Sequence, residues 1–324
     1  MEQTNKKIGI YGCGGGGTNL LAMVEKKIKT ENLAGVYAPY NAVYIDSSES
    51  NFDDLIPAGA QKYRIANMDG AGKIRDDMLE PARREAPNIL FQYPPQDVNI
   101  LVCTAGGGTG AILATVLAEK MWEAGKRVIF VSPASIESGK TAKNSLGHIR
   151  TLNNRAKANG QTSVLFYDNN EAGNKNRNEV DRGMVLGICA LLDLYSGKHR
   201  EMDTKDVEQW LNLGKSANLE PQLVLLDIDT NIEDAKARQY PISINAIYSE
   251  ADATKGSPSA DYLSEGYRRD GGGSLFFSIH TDGLGNIAND LQAVVTSYEQ
   301  RAAARQSTAN NALGSSNSND GWEL

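Results

Sequence analysis

The run Val98-Asn99-Ile100-Leu101-Val102-Cys103-Thr104-Ala105-Gly106-Gly107-Gly108-Thr109-Gly110 decides the fold of this chain. Its first half is short, apolar and β-branched, as a buried parallel strand should be. A glycine turn follows, and residues 110–124 then read as a helix. Such a turn leaves backbone N–H groups free to point at a phosphate, and the helix dipole favours an anion there. Gly106, Gly107 and Gly108 offer unobstructed amides and Thr109 adds a hydroxyl. Three consecutive glycines cost about 1 kcal/mol each relative to alanine, which a mere tight turn would not justify.

A similar loop lies upstream. Gly12-Cys13-Gly14-Gly15-Gly16-Gly17-Thr18-Asn19 joins a strand at 8–12 to a helix at 18–30. Gly12, Gly14 and Gly17 satisfy the dinucleotide fingerprint, and Asp46 would be its ribose-binding acid. That makes a NAD-dependent oxidoreductase the main alternative. It leaves the second glycine loop unused, whereas a nucleoside triphosphate held between two helix N-termini needs both. A third stretch, Ala134 through Gly139-Lys140-Thr141, resembles a relaxed phosphate-binding loop and would suit a P-loop nucleotidase. Glu137 inside it would repel phosphate and Pro133 stiffens the strand exit, so Lys140 reads as a basic group near the nucleotide.

Working outward, strands at 42–46, 62–66, 127–132 and 162–167 alternate with helices at 73–86 and 140–159. This is the βαβα order of an α/β, doubly wound parallel sheet. Residues 174–195 form a long helix in which Val180, Met184, Gly187, Ile188, Leu191 and Tyr195 recur at helical spacing. Its apolar face is broad enough for burial on more than one side. Beyond it a helix at 204–213, strands at 222–227, 242–248 and 274–280, and a helix from Leu284 to about 305 make a smaller α+β unit. Residues 306–320 are Ser/Asn/Ala-rich and read as a flexible linker ahead of Gly321-Trp322-Glu323-Leu324, a docking tail or a frayed end. The expected division is a nucleotide-binding domain at 1–173, a central helix at 174–200, a second domain at 201–305 and a flexible acidic tail at 306–324.

The formal net charge of −7 over 324 residues argues against a broad nucleic-acid footprint, and no DNA-binding motif is evident. No apolar run is long enough for a membrane span. The start Met1-Glu2-Gln3-Thr4-Asn5-Lys6-Lys7 leads straight into a strand, so no signal peptide is expected. Cys13, Cys103 and Cys189 fit no disulfide framework and suggest a reducing cytoplasm. His148, His199 and His280 form no metal-ligand motif.

The two glycine loops resemble the first and fourth nucleotide loops of the tubulin/FtsZ superfamily, in which Gly106-Gly107-Gly108-Thr109-Gly110 is the signature. The resemblance implies a GTP/GDP site with a magnesium ion bridging the phosphates, for which no protein ligand is evident. It places Asp46 after the second strand, Gly70-Ala71-Gly72-Lys73 at the γ-phosphate, and Pro133, Glu137 and Lys140 in the fifth loop. Asn169 falls in the sixth loop, and Asn178 on the central helix would read guanine. Glu201-Met202-Asp203-Thr204-Lys205-Asp206 is similar to the bacterial pattern Asn-x-Asp-x-x-Asp, with Glu201 for the Asn. In that family the loop enters the next subunit's pocket, making Asp206 the principal catalytic residue and Asp203 its partner. Asp203 is also a natural helix N-cap. The short second domain, long last helix and acidic tail resemble the small tubulins of bacteriophages or plasmids. That kinship implies a homopolymer assembled head to tail, a tail (Asp320, Glu323, Leu324) docked on the neighbouring subunit, and a role in positioning or segregating DNA in a bacterial cytoplasm. A non-hydrolysing structural polymer is the remaining alternative, if Glu201 misplaces the loop.

Overall fold

Strand β1, Ile8–Cys13, is buried along its whole length and sits inside a ten-stranded sheet. The computed structural model describes residues 8–52, 54–170 and 175–313. Along them α1 (Gly14–Thr30) leads to β2 (Tyr40–Asp46) and β3 (Gln61–Arg64), and α2 (Asp76–Gln92) leads to β4 (Val98–Val102). Next come α3 (Thr109–Glu123), β5 (Arg127–Val131), β6 (Ala134–Ser135), α4 (Gly139–Ala158), β7 (Ser163–Phe166) and β8 (Asn169–Asn170). The long central helix is α5, Arg177–Leu194. After it follow α6 (Thr204–Trp210), α7 (Leu213–Ser216), β9 (Leu223–Asp229), α8 (Ile232–Lys236), β10 (Pro241–Tyr248), β11 (Tyr262–Tyr267), β12 (Leu275–His280) and α9 (Leu284–Leu313).

The sheet order is β11-β10-β12-β9-β7-β5-β4-β1-β2-β3. Strands β3 through β9 in that row are parallel, and β12 runs antiparallel to both β9 and β10. The chain reverses its direction of winding between β1 and β4. In an open α/β sheet the loops leaving such a pair splay apart and open a crevice at the strands' carboxyl ends. Both glycine loops leave from this pair, so the topology alone puts them on the two sides of one cleft.

Alternation along the strands sorts the core into two layers. Ile8, Ile10, Ile100 and Val102 face the layer of α1 and α5, while Tyr11, Cys13, Leu101 and Cys103 face that of α2, α3 and α4. The apolar breadth of α5 has its reason here: Val180, Met184, Ile188, Leu191 and Leu192 are buried beside Trp210, Val224 and Phe277. Helix α9 lies on α4, where Arg150 donates to Gln292 at 3.1 Å and the ring of Tyr298 fills the space over Gly139.

Several elements differ from the sequence reading. Helix α1 starts at Gly14, so the glycines form its first turn rather than a preceding loop. Helix α9 continues to Leu313, so the expected linker is helical from 306 to 313. Strand β11 was not anticipated, because its burial is patchy and Tyr262-Leu263-Ser264-Glu265-Gly266-Tyr267 reads as mixed polar sequence. Among the described residues no helix is long and apolar enough to cross a membrane, and no cluster of three or more His, Cys, Asp or Glu is arranged to hold a metal. The tail residues Asp320, Glu323 and Leu324 lie outside the described residues.

Beneath the glycine loops, the Cys103 thiol sits 3.4 Å from Ser132 Oγ and 3.8 Å from His148 Nε2, all fully buried. Burial pushes the Cys103 thiol up to about 11. It pushes His148 down to about 3 from an ordinary 6.5, with the nearby Arg75 guanidinium adding to the effect. The folded protein therefore refuses a proton that the unfolded chain accepts, so stability is full above pH 6.5 and declines below it. At pH 5 the loss from His148 is about 2 kcal/mol, at 1.36 kcal/mol per unit. Urea midpoints at pH 7 and pH 5 check this: the drop should shrink by about that amount in His148→Phe.

Candidate functional site

The cleft opened by β1 and β4 has two adjoining lobes. The outer lobe, about 320 Å³, is lined by Asn19, Pro133, Glu137, Asn170, Arg177 and Asp181, among others. The inner lobe, about 200 Å³, is lined by Gly14, Asp46, Gly70, Ala71, Gly72, Gly108, Thr109 and Gly110. Gly15, Gly16, Asn51, Lys73, Thr104 and Gly107 line both.

Two helices, α1 and α3, begin at the inner lobe. The N-cap Cys13 of α1 makes no side-chain bond to the first turn, the N-cap Gly108 of α3 has no side chain, and neither first turn contains an acid. Helices α4, α5 and α6 instead carry full capping boxes. An uncapped first turn leaves orphan N–H donors and an unopposed positive dipole end. The inner lobe is thus built to receive a polyanion.

The glycines serve close packing as much as open amides. A Cβ on Gly17 would stand 2.2 Å from the Val102 carbonyl oxygen, and one on Gly110 would stand 2.3 Å from that of Cys13. Each loop therefore lies against the backbone of the other's strand. Gly14 has φ +71° and its Cβ would meet the Gly110 amide nitrogen at 2.7 Å.

Gly106 lines the outer lobe and Gly107 both, and Gly108, Thr109 and Gly110 line the inner one. Gly12, Cys13 and Thr18 line neither. Gly12 packs on Gly17, the Cys13 thiol donates to Tyr11 O at 3.6 Å, and Thr18 Oγ1 donates to Gly15 O at 2.9 Å. Asp46 is 1% exposed. Burial raises its carboxyl above the usual range, opposed by hydrogen bonds from the Ser48 amide at 2.8 Å and Asn51 Nδ2 at 3.0 Å. It stands beside Ser47, whose Oγ lies 3.2 Å from Thr109 Oγ1.

Lys140 and Asn178 are exposed and line neither lobe. Thr141 faces the cleft in place of Lys140, and Arg177 and Asp181 in place of Asn178. The pair at i and i+4 shares one face of α5, and Asn178 is turned about 100° from Arg177. Asn169 is buried and lines neither lobe, whereas its neighbour Asn170 lines the outer one. The Asn170 Oδ1 is buried without a partner among the described residues. Arg177 reaches Glu137 across the rim at 3.7 Å. Burial raises the Asp181 carboxyl, and Arg177 works the other way. Sequence reasoning missed Asn51, Thr104, Asn170, Arg177 and Asp181; only the helical phase of Arg177 and Asp181 carried a signal.

Asp203 and Asp206 are elsewhere. Asp203 Oδ1 accepts from the Lys205 amide at 2.7 Å and the Asp206 amide at 3.0 Å, and Asp206 Oδ2 accepts from the Asp203 amide at 3.1 Å. Asp203 is the expected N-cap of α6, and one oxygen of each carboxylate is engaged in this reciprocal box. The preceding Glu201 has φ +62°, a region asparagine enters more readily than glutamate.

Comparison with known proteins follows the same lines. The family described as phage tubulin-like protein, C-terminal domain, matches residues 202–276. A phage tubulin-like protein of Pseudomonas phage PhiPA3 is 28% identical over 92% of this chain and 94% of its own. In fold, the protofilament structure of TubZ from bacteriophage PhiKZ matches with a TM-score of 0.80 at 23% identity, covering 91% of this chain and 92% of the other. A phage tubulin solved with GDP, PhuZ, matches at 0.79 and 19% identity, covering 92% of each chain. The resemblance read from the glycine loops is borne out: this chain has the tubulin/FtsZ fold and is like the small phage tubulins in sequence.

Proposed function

We propose that this protein binds GTP in the two-lobed cleft and polymerises head to tail into dynamic filaments. Each subunit supplies Asp203 and Asp206 to its neighbour's nucleotide, and GTP is hydrolysed to GDP and phosphate. The observation that carries this reading is the separation of the two parts. Arg177, at the start of α5, lines the cleft, and the loop bearing the aspartates follows the far end of that helix. The span is ~25 Å at 1.5 Å per residue, so the acids of one molecule cannot reach its own cleft. A heterologous interface that brings them to the next molecule propagates as an open filament. The PhiKZ relative was solved as a protofilament, which is consistent with that geometry.

The phosphates lie in the inner lobe, against the uncapped starts of α1 and α3. Asp46 and the Thr109 hydroxyl fit a magnesium ion there, which would neutralise phosphate charge when bound. The base lies in the outer lobe, where Asn170 Oδ1 and the Asp181 carboxylate offer acceptors. Guanine presents an adjacent N1–H and exocyclic N–H to such acceptors; adenine has an acceptor at N1. Asp181→Asn should weaken GTP binding about 10–100-fold, the value of a hydrogen bond to a charged group, and narrow the preference over ATP. Nucleotide titrations by fluorescence test this. An unchanged preference would move base reading elsewhere.

Docking of the tail on the next subunit and a part in positioning phage or plasmid DNA in the host cytoplasm belong to the same reading. Thermal protection by GTP and GDP, with none from NADH, supports it over the oxidoreductase; protection by NADH alone would reverse that choice.

A further inference from the structure

The far end of α5 is fastened to β11 by buried charges. Arg268, just past β11, places Nη1 2.6 Å from Asp193 Oδ2, near the end of α5. Both side chains are about nine-tenths buried, at 9% and 10% exposure. The Arg268 Nε donates to Gly273 O at 2.9 Å, and Nη1 lies 3.5 Å from Asp270. His199, 6% exposed, turns Nε2 back to the Asp193 carbonyl at 3.1 Å and stands 3.6 Å from its carboxylate. Burial lowers the His199 imidazole, opposed by Asp193.

From this knot the chain runs along β11 toward the acids. Arg200 and Tyr267 exchange backbone hydrogen bonds of 2.9 and 3.0 Å. Met202 packs on Gly266, where a Cβ would meet its side chain at 2.7 Å and the Arg200 carbonyl at 3.0 Å. Glu201, between these two fixed points, is held in the left-handed region. The Tyr262 hydroxyl then donates to the Asp206 carbonyl at 3.2 Å. Apart from the α6 capping box and the Lys205–Glu208 pair, the hydrogen bonds that fix His199, Arg200 and the Asp206 carbonyl run to Asp193 or to β11.

A buried ion pair returns little net stability, because desolvation offsets the attraction. What a guanidinium fork does supply is direction. We infer that Asp193 and Arg268, with His199 folded under them, are positioning residues that set where Asp203 and Asp206 are presented to the neighbouring subunit. The inference rests on the shared-site reading above. Neither residue touches nucleotide; they act through the loop.

The test uses the full chain. Arg268→Gln breaks the ion pair, Arg268→Lys keeps the charge without the fork, and the double variant Asp193→Asn, Arg268→Gln replaces the ions by a neutral hydrogen-bonding pair. Phosphate release per polymerised subunit is measured beside GTP affinity and polymer mass with a non-hydrolysable GTP analogue. Arg268→Gln should lose about 10–100-fold in release, the cost of about 1 Å of misplacement, with affinity and analogue-driven polymer within about 2-fold of native. Arg268→Lys should recover part of the rate. The double variant, which leaves no buried unpaired charge, should still be slow. Native release rates in the double variant, or in a folded Arg268→Gln, overturn the inference. A loss of affinity and rate together would make the pair merely structural and overturn it too. Absence of hydrolysis in the native protein would instead sink the shared-site reading.

Discussion

Asp206→Ala should bind GTP as tightly as the native protein, release phosphate about 10²–10³-fold more slowly, the scale of losing one transition-state contact, and leave long-lived filaments. The cleft residues lie at the other end of α5, so the substitution cannot disturb the nucleotide of its own subunit. It does remove one half of the box that caps α6, since Asp206 Oδ2 accepts from the Asp203 amide. Losing that bond costs about 1 kcal/mol of local stability, which on its own would mimic a loss of rate by fraying the loop. Asp206→Asn separates the two effects. Its amide oxygen still accepts from the Asp203 amide, but it cannot take a proton from water. The account expects Asp206→Asn to melt like the native protein and to hydrolyse nearly as slowly as Asp206→Ala. Phosphate release corrected for polymer mass, beside a melting curve, decides it. A fast Asp206→Asn would reduce Asp206 to a helix cap.

Gly110→Ala is expected to carry a large structural penalty. Its Cβ would stand 2.3 Å from the Cys13 carbonyl oxygen and 3.1 Å from its carbonyl carbon. No flexible side-chain end is available to yield, so β1 and β4 must part at the point where the cleft opens. Overpacking of this kind costs about 3 kcal/mol or more, about 4–5 °C in melting temperature for a chain of this size, and GTP binding should be lost with it. Gly17→Ala meets the Val102 carbonyl oxygen at 2.2 Å and should behave alike. Because one separation of the strands relieves both clashes, the double variant should cost less than the sum. Gly183→Ala is the control: it lies within α5 with nothing inside 4 Å, and should stabilise by about 1 kcal/mol. Melting curves with and without GTP check all four.

The parts legible in the sequence were those whose physics is local. Short apolar runs gave the parallel strands, and two glycine runs after strands gave the cleft, because glycine after β1 and β4 is needed whatever the rest does. Asp203 was legible as a cap because its helix follows at once. The residues that complete the site come from tertiary placement. Asn51 lies in a single turn, Glu49–Asn51, too short for any periodic signal. Thr104 and Asn170 take their role from what the sheet brings beside them. On α5 the resemblance pointed to Asn178, whereas Arg177 and Asp181 line the cleft, because a helix that begins at Arg177 turns Asn178 about 100° from it. The run 306–313 was read as linker from its Ser, Asn and Ala content, but α9 extends through it.

Right-angle light scattering with GTP, GDP, ATP or NADH, with phosphate release followed in the same cuvette, tests the central claim most directly. A rise with GTP alone, above a threshold protein concentration and with phosphate release appearing only above that threshold, is the result this account predicts. Phosphate release proportional to protein at all concentrations, without scattering, would contradict it by placing a complete active site within one molecule.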